Sequence, residues 1–73
     1  MKTFKDLKFI WFFRSPKVCS KAEITLNNNK IEVWVNSDDG YEVFIESLPE
    51  LSKQYCNERE VTKIMKRVQE MGS

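Results

Sequence analysis

The sequence predicts a small α+β domain in which a three-stranded antiparallel meander is covered by a C-terminal amphipathic helix. Apolar and polar residues alternate from residue 22 to residue 46, turn-forming residues interrupt this alternation twice, and helical spacing of apolar residues begins at residue 61. The chain has 73 residues, which is the length of one domain, residues 1–73. The expected order is an N-terminal helix or strand, three strands, a short helix and a long helix.

The N-terminal segment supports two rival predictions. Thr3 followed by Asp6 is the pattern of a helix N-cap with a capping box, which favours a helix. A strand is the rival, with residues 7, 9, 11 and 13 on one face, because aromatic residues are enriched in strands. We favour the helix on its cap signal. Either element should end near Ser15, since Pro16 disfavours helical geometry in the residue before it.

The central strands alternate strictly and are separated by turn residues. The first strand runs over residues 22–27, and Asn27 to Asn29 form a turn because asparagine tolerates positive φ. A hairpin follows over residues 30–46, turning at Ser-Asp-Asp-Gly. One face of this meander is apolar and requires a cover: Ile24, Leu26, Ile31, Val33, Val35, Tyr41, Val43 and Ile45. The other face carries Glu32, Glu42 and Glu46, with Trp34 and Phe44 between them.

Two helix-start signals occur in the C-terminal part. The sequence from Ser47 to Glu50 matches a capping box and predicts a short helix that ends near Tyr55. The sequence from Asn57 to Glu60 predicts the start of a second, longer helix. Its single apolar stripe should lie on the apolar sheet face: Val61, Ile64, Met65, Val68 and Met71.

The composition argues against an enzyme and against a metal or cofactor site. The chain has no histidine for general acid–base catalysis, no glycine-rich phosphate loop, and no serine or cysteine with an adjacent base. Its two cysteines, Cys19 and Cys56, do not suffice for a four-ligand zinc site. We expect both to be reduced thiols, and we expect no cofactor.

The longest apolar run, residues 9–13, is shorter than a membrane span or a signal-peptide core. The expectation is therefore a cytoplasmic protein with no membrane partner. Small size and abundant aromatic residues also make a homodimer one of the expected states.

Charge is unevenly distributed although the net charge is only +1. Residues 1–21 carry +5, residues 22–50 carry −6, and residues 51–73 carry +2. Such segregation can steer a charged partner, or the basic segments can simply neutralise the acidic sheet. Both interpretations stay open at this point.

The acidic hairpin is the best candidate for a partner-binding site. If the N-terminal aromatic residues cover Trp34 and Phe44, this pair belongs to the core. If they do not, two aromatic residues among carboxylates have the composition of an anchor for a basic protein partner. The candidate site then comprises Trp34, Asp38, Asp39, Glu42, Phe44 and Glu46.

The segment from Val35 to Ser47, Val-Asn-Ser-Asp-Asp-Gly-Tyr-Glu-Val-Phe-Ile-Glu-Ser, resembles the strand-turn-strand of small phage-encoded anti-CRISPR proteins. The element order resembles theirs as well. This resemblance implies an inhibitor, present in the cytoplasm of a bacterial host, whose acidic side chains imitate DNA phosphates. They would occupy the basic surface of a nucleic-acid-binding host complex. The imitating positions implied are Asp38, Asp39, Glu42 and Glu46.

An alternative function is DNA or RNA binding by a small transcriptional regulator. Lys63, Lys66 and Arg67 would supply a basic face on the long helix, and the two C-terminal helices have the outline of a helix-turn-helix. A solvated helix face explains the same charges. The basic, aromatic N-terminal segment could also stack the bases of a single strand.

Overall fold

The computed structural model describes residues 1–14, 17–36 and 40–71. These residues form a five-stranded antiparallel sheet and one α-helix, together with two single turns of 3-10 helix. The strands are β1 (Ile10–Arg14), β2 (Lys17–Leu26), β3 (Asn29–Asn36), β4 (Gly40–Phe44) and β5 (Lys53–Cys56), and the helix is α1 (Glu58–Met71). The strands lie in chain order, β1-β2-β3-β4-β5, so the sheet is a meander.

The α+β class and the central meander are confirmed, but the expected number of strands is wrong. β2, β3 and β4 are the three strands expected from the alternation, and β1 and β5 extend the sheet at its two edges. The N-terminal helix is limited to a 3-10 turn, Phe4–Asp6, in which Asp6 Oδ2 accepts the Thr3 N–H at 2.8 Å. The cap forms, but the aromatic segment after it joins the sheet instead of continuing a helix.

The predicted short helix after Ser47 is also wrong. Only a 3-10 turn, Pro49–Leu51, forms in this part of the described chain, and β5 follows it directly. The Ser52 hydroxyl accepts the Ile45 N–H at 2.9 Å, which secures the end of β4 beside the start of β5. Because β5 separates this turn from α1, the described residues 47–71 do not form the expected helix-turn-helix.

The turn between β2 and β3 follows the asparagine signal. Asn27 and Asn28 both have positive φ, 50° and 63°, and Leu26 pairs with Asn29 across a two-residue turn. This geometry matches the right-handed twist of the flanking strands. It also fixes the register of the hairpin, because each residue of β2 then has a defined opposite residue in β3.

The core lies between α1 and one face of the sheet. Val61, Met65 and Val68 of α1 are fully buried, which confirms most of the predicted stripe, whereas Met71 is exposed. The side chains they face include Ile31, Val33, Val43 and Ile45, all of which are buried. α1 begins with a reciprocal cap: Asn57 Oδ1 accepts the Glu60 N–H at 2.8 Å, and Glu60 Oε1 accepts the Asn57 N–H at 3.1 Å.

The two ends of the fold are tied together by side-chain amides. Asn27 Nδ2 donates to the carbonyl oxygens of Val68 and Gln69 at 2.8 and 2.7 Å, so the β2–β3 turn caps the end of α1. The Gln69 side chain in turn accepts the Lys2 N–H and donates to the Lys2 carbonyl, both at 2.8 Å. Among the described residues, no helix is both long enough and apolar enough to span a bilayer.

The hydrogen bonds from Asn27 to α1 predict that its side chain contributes to stability beyond the role of its backbone in the turn. Glycine at position 27 keeps the positive φ but removes both hydrogen bonds to α1, so Asn27→Gly should lower the free energy of unfolding by about 1–2 kcal/mol. Chemical denaturation measures this change. Asn28→Gly is the matched control, because Asn28 has the same backbone geometry and an exposed side chain, and its effect should stay within about 0.5 kcal/mol. Equal losses in the two variants would contradict the role assigned to the Asn27 amide.

Candidate functional site

The outer face of the sheet, which points away from α1, brings together most of the predicted site residues that the structure describes. Residues opposite each other in an antiparallel sheet share a face. Trp34 lies opposite Lys21 on β2 and Glu42 on β4, and Glu32 lies opposite Glu23 and Phe44. Aromatic and charged side chains are therefore neighbours on the outer face of β2, β3 and β4.

The N-terminal aromatic residues do not cover this face, because β1 continues the sheet at its edge. From β1, the Phe12 ring reaches the outer face and contacts Trp34 edge-on, with ring centroids 5.9 Å apart. Trp34 is half-buried, and Phe44 remains 42% exposed. The Trp34–Phe44 pair is therefore neither fully core nor fully exposed. Phe12 packs against one side of Trp34, and Phe44 is open to solvent.

Lys21 is the centre of this face. Its ammonium lies 5.1 Å from the centroid of the Phe12 ring and 4.8 Å from that of the Trp34 ring. It also forms ion pairs with Glu23 at 3.0 Å and with Glu32 at 2.9 Å. Its side chain is only 13% exposed, so these contacts are poorly accessible to water. Cation–π contacts of a partly desolvated ammonium contribute about 0.5–2 kcal/mol.

Protonation equilibria follow this arrangement. Hydrogen bonds to the carboxylates raise the pKa of Lys21 above its ordinary value, with the larger contribution from Glu32 and the smaller from Glu23. Hydrogen bonds from Lys21 and then Lys30 lower the pKa of Glu23. Lys30 contacts Glu23 at 3.1 Å, so this carboxylate is shared by two ammonium groups. The two lysines thus neutralise part of the acidic face from within the sheet.

An open depression of about 300 Å³ lies beside this cluster on the outer face. Its walls are Glu32, Trp34, Glu42 and Phe44, so three predicted site residues and one further carboxylate surround one space. A second depression of about 400 Å³ adjoins it through Glu32 and includes Glu46, Lys30 and Ser47. The structure thus brings Trp34, Glu42 and Phe44 together and places Glu46 in the neighbouring depression.

The remaining predicted residues are elsewhere or outside the description. Asp38 and Asp39 lie outside the described residues. The alternative set, Lys63, Lys66 and Arg67, is exposed on the solvent side of α1, away from the outer sheet face.

The cysteines do not come together. Cys19 lies opposite Phe12 on the outer face, and Cys56 is buried on the core side, where burial raises the pKa of its thiol. Both are free thiols. Within the described ranges, no three Cys, Asp or Glu side chains group closely enough to hold a metal ion.

Lys21 and Phe12 are the site residues that sequence reasoning missed. A two-residue turn at Asn27 and Asn28 already places Lys21 opposite Trp34, so the turn assignment contained the signal for Lys21. The Phe12 contact requires the pairing of β1 with β2, which the preference for a helix excluded.

No protein-family model, curated protein or solved structure matches this chain.

Removal of the Lys21 ammonium should change the titration of Glu23. In Lys21→Met the largest contribution that lowers the pKa of Glu23 is lost, so this pKa should rise toward its ordinary value. A depressed folded-state pKa stabilises the protein above the unfolded pKa, and this stabilisation is lost as the pH falls through the folded pKa. The variant should therefore lose less stability on acidification than the wild type.

A carbon-detected NMR titration of the glutamate carboxyl groups measures this shift. Lys30→Met is the matched control, because Lys30 makes the smaller hydrogen-bond contribution to the same carboxylate. Its effect on the pKa of Glu23 should have the same sign and a smaller size. An unchanged Glu23 titration in Lys21→Met would contradict the ion-pair geometry.

Proposed function

We propose that this chain is a non-catalytic protein-interaction module that binds a basic partner surface through the outer face of its sheet. One observation carries the proposal: Glu32, Trp34, Glu42 and Phe44 surround a single open depression of about 300 Å³. Two carboxylates and two aromatic rings around one space are the groups that bind a lysine or arginine side chain. The proposed ligand is therefore a cationic side chain on the surface of a partner protein.

The molecule already contains one example of this chemistry. Lys21 sits between two aromatic rings and pairs with two carboxylates, and Trp34 and Glu32 take part in that arrangement. The depression uses the same Trp34 and Glu32 together with Glu42 and Phe44. An ionised carboxylate has about four lone-pair sites, so Glu32 can accept from Lys21 and from a second donor at once.

Two carboxylates in and beside the depression favour the same partner. Glu46 borders the adjoining depression, and Glu42 is half-buried at the wall of the first. In the described part of the chain, neither carboxylate forms an ion pair with a lysine or arginine side chain. A partner cation would thus meet acidic groups that the fold has not neutralised. Such complementarity mainly increases the association rate and the specificity.

An inhibitor or regulator is the role we propose for such a module. The sequence lacks histidine, and an open depression on a sheet face suits recognition better than catalysis. The resemblance to phage-encoded anti-CRISPR proteins implies a specific form of this role, in which Asp38, Asp39, Glu42 and Glu46 imitate DNA phosphates against a host nuclease. That form is a hypothesis within the broader proposal and requires the turn residues as well as the depression.

A peptide titration tests the proposal directly. The tripeptide acetyl-Gly-Arg-Gly-amide should shift the indole NMR signal of Trp34, because the guanidinium enters a space bordered by that ring. Trp11 is an internal control, since it lies on β1 and does not border the depression. Acetyl-Gly-Gln-Gly-amide, which lacks the charge, should shift neither signal. Equal shifts of both tryptophans, or none with the arginine peptide, would refute the proposed site.

Charge reversal then measures the contribution of the acidic wall. Glu42→Lys should weaken binding of the arginine peptide at least about 10-fold, because a cation replaces one of the two carboxylates. Glu50→Lys is the matched control: it makes the same charge change on an exposed 3-10 turn and should leave the affinity within about 2-fold. Reversal of Asp38 and Asp39 extends the same test to the two other acidic residues that the resemblance implies. A Glu42→Lys variant that binds as the wild type does would overturn the proposal.

Nucleic-acid binding is the second candidate, and the exposure of Lys63, Lys66 and Arg67 on α1 favours it. Without a helix-turn-helix, these residues could contact phosphates from a single helix but would not insert a supported recognition helix. This candidate predicts retention of DNA on filters at low salt, with an affinity that falls steeply as salt rises. Lys63→Glu combined with Lys66→Glu should abolish the retention. No retention by the wild type at low salt would dismiss this candidate and leave the first unaffected.

A further inference from the structure

Strand β1 exposes apolar side chains on both of its faces. Ile10 and Phe12 point to the outer face, and Trp11 and Phe13 point to the opposite face. Ile10 is 63% exposed, Trp11 is 78% exposed and Phe13 is 69% exposed, and Phe12 is 44% exposed despite its contact with Trp34. Four consecutive exposed apolar residues are unusual on a small soluble domain, and such patches mark interaction sites.

The position of β1 explains why these residues are uncovered. Pairing between β2 and β3 begins at Lys21 opposite Trp34, whereas β1 pairs with the preceding part of β2, from Lys17 to Lys21. Only the Ile10–Lys21 pair of this hairpin is continued by a residue of β3. The other four β1–β2 pairs therefore extend beyond the region where three or more strands lie side by side. This extension agrees with the elongated dimensions of 40 × 22 × 21 Å.

The two edges of the sheet differ in how they are protected. At the β5 edge, Tyr55 has a φ of 60°, and the pairing with β4 shifts between Val43–Lys53 and Tyr41–Cys56, as expected for a bulge. Bulges, short length and charged residues such as Lys53 discourage pairing with another chain. β1 has a regular register over all five of its residues, and none of its first four residues is charged or proline. The β1 edge is thus the one that is open to a further strand.

We propose that two copies of this chain associate through antiparallel pairing of their β1 edges, which joins the two sheets into one continuous ten-stranded sheet. A two-fold axis near Phe12 would place Trp11 of each copy beside Phe13 of the other, on one face of the joined sheet. Antiparallel pairing is preferred to parallel pairing because it keeps the two copies of Arg14 at opposite ends of the junction. Backbone hydrogen bonds supply affinity, and the aromatic side chains supply specificity.

The available area fits a reversible dimer. The exposed parts of the four side chains amount to about 400–500 Å² in each copy, from the areas typical of aromatic side chains. This area on both copies, with adjoining backbone, sets an upper limit of about 1,000 Å² on the buried surface, which is the lower end for a specific interface and suits a weak, reversible association. Pairing of β1 with β5 of another copy would give open-ended chains, and the bulge at β5 opposes it. The dimer is therefore closed.

Sedimentation equilibrium of the full chain across the micromolar range tests the association. The wild type should convert from monomer to dimer with rising concentration. Trp11→Lys should raise the dissociation constant at least about 30-fold, because an exposed aromatic anchor is replaced by a charge. Tyr55→Asn is the matched control: it removes an exposed aromatic residue from the other edge, and asparagine tolerates the positive φ there. Its dissociation constant should stay within about 2-fold of the wild-type value.

Amide hydrogen exchange of the wild type locates the interface and does not depend on any variant folding. Alternate amides of β1 should gain protection as the concentration rises, because every second N–H of an edge strand points outward. The amides of β5 should not change.

Three results would overturn the proposal: a monomer at all concentrations, a dimer that withstands Trp11→Lys, or concentration-dependent protection on a different element. A monomer that binds oligo-dT, or vesicles containing phosphatidylserine, through Trp11 would reassign the surface to single-stranded nucleic acid or to anionic lipid and would overturn the dimer as well.

Discussion

The packing of one 14-residue helix against one face of the sheet is the contact on which the rest of the structure depends. Such a helix is about 21 Å long and about 10 Å wide, which is enough to cover the middle of the sheet but not all of it. Val61, Met65 and Val68 accordingly bury the central strands, and the chain supplies no second layer in its described part. Both the outer face and the β1 end of the sheet must be stable without a covering element.

The two uncovered regions differ in their chemistry. On the outer face, Lys21 binds two carboxylates and contacts two aromatic rings, so polar and aromatic groups satisfy one another without a core. A charge as poorly exposed as that of Lys21 is tolerated because it is paired and hydrogen-bonded in this way. At the β1 end, Trp11 and Phe13 have no comparable arrangement among the described contacts. The first region therefore suits a charged ligand and the second suits apolar burial.

The sequence determined the parts of the fold that depend on local periodicity. The alternation around Ile31 to Ile45 and the stripe from Val61 to Val68 identified the central strands, α1 and the face that each buries. The cap signal at Thr3 was real but lasted one turn, because pairing of the aromatic segment with β2 outweighed a weak helix preference. β5 has no period-two apolar pattern over its four residues, since it is an edge strand defined by its pairing with β4.

The alternation within each strand predicted which site residues share a face, but it did not predict which residues of neighbouring strands lie next to each other. Trp34, Glu42 and Phe44 were placed on one face from their alternation, and the structure adds the depression that they share with Glu32. The role of Lys21 depends on the strand register, which follows from the turn at Asn27 but not from periodicity. The contact of Phe12 with Trp34 depends on pairing between β1 and β2, which the rival strand prediction for the N-terminal segment allowed but did not specify.

The chain-order arrangement of the strands has a consequence for folding kinetics. Each strand pairs with its neighbour in sequence, so most contacts in the sheet close short loops, and such topologies fold rapidly for β-rich proteins. The paired hydrogen bonds between Lys2 and Gln69 are the opposite case, because they join residues 67 positions apart. These two hydrogen bonds should form after the transition state of folding. Loosening them would then accelerate unfolding while leaving the rate of folding nearly unchanged.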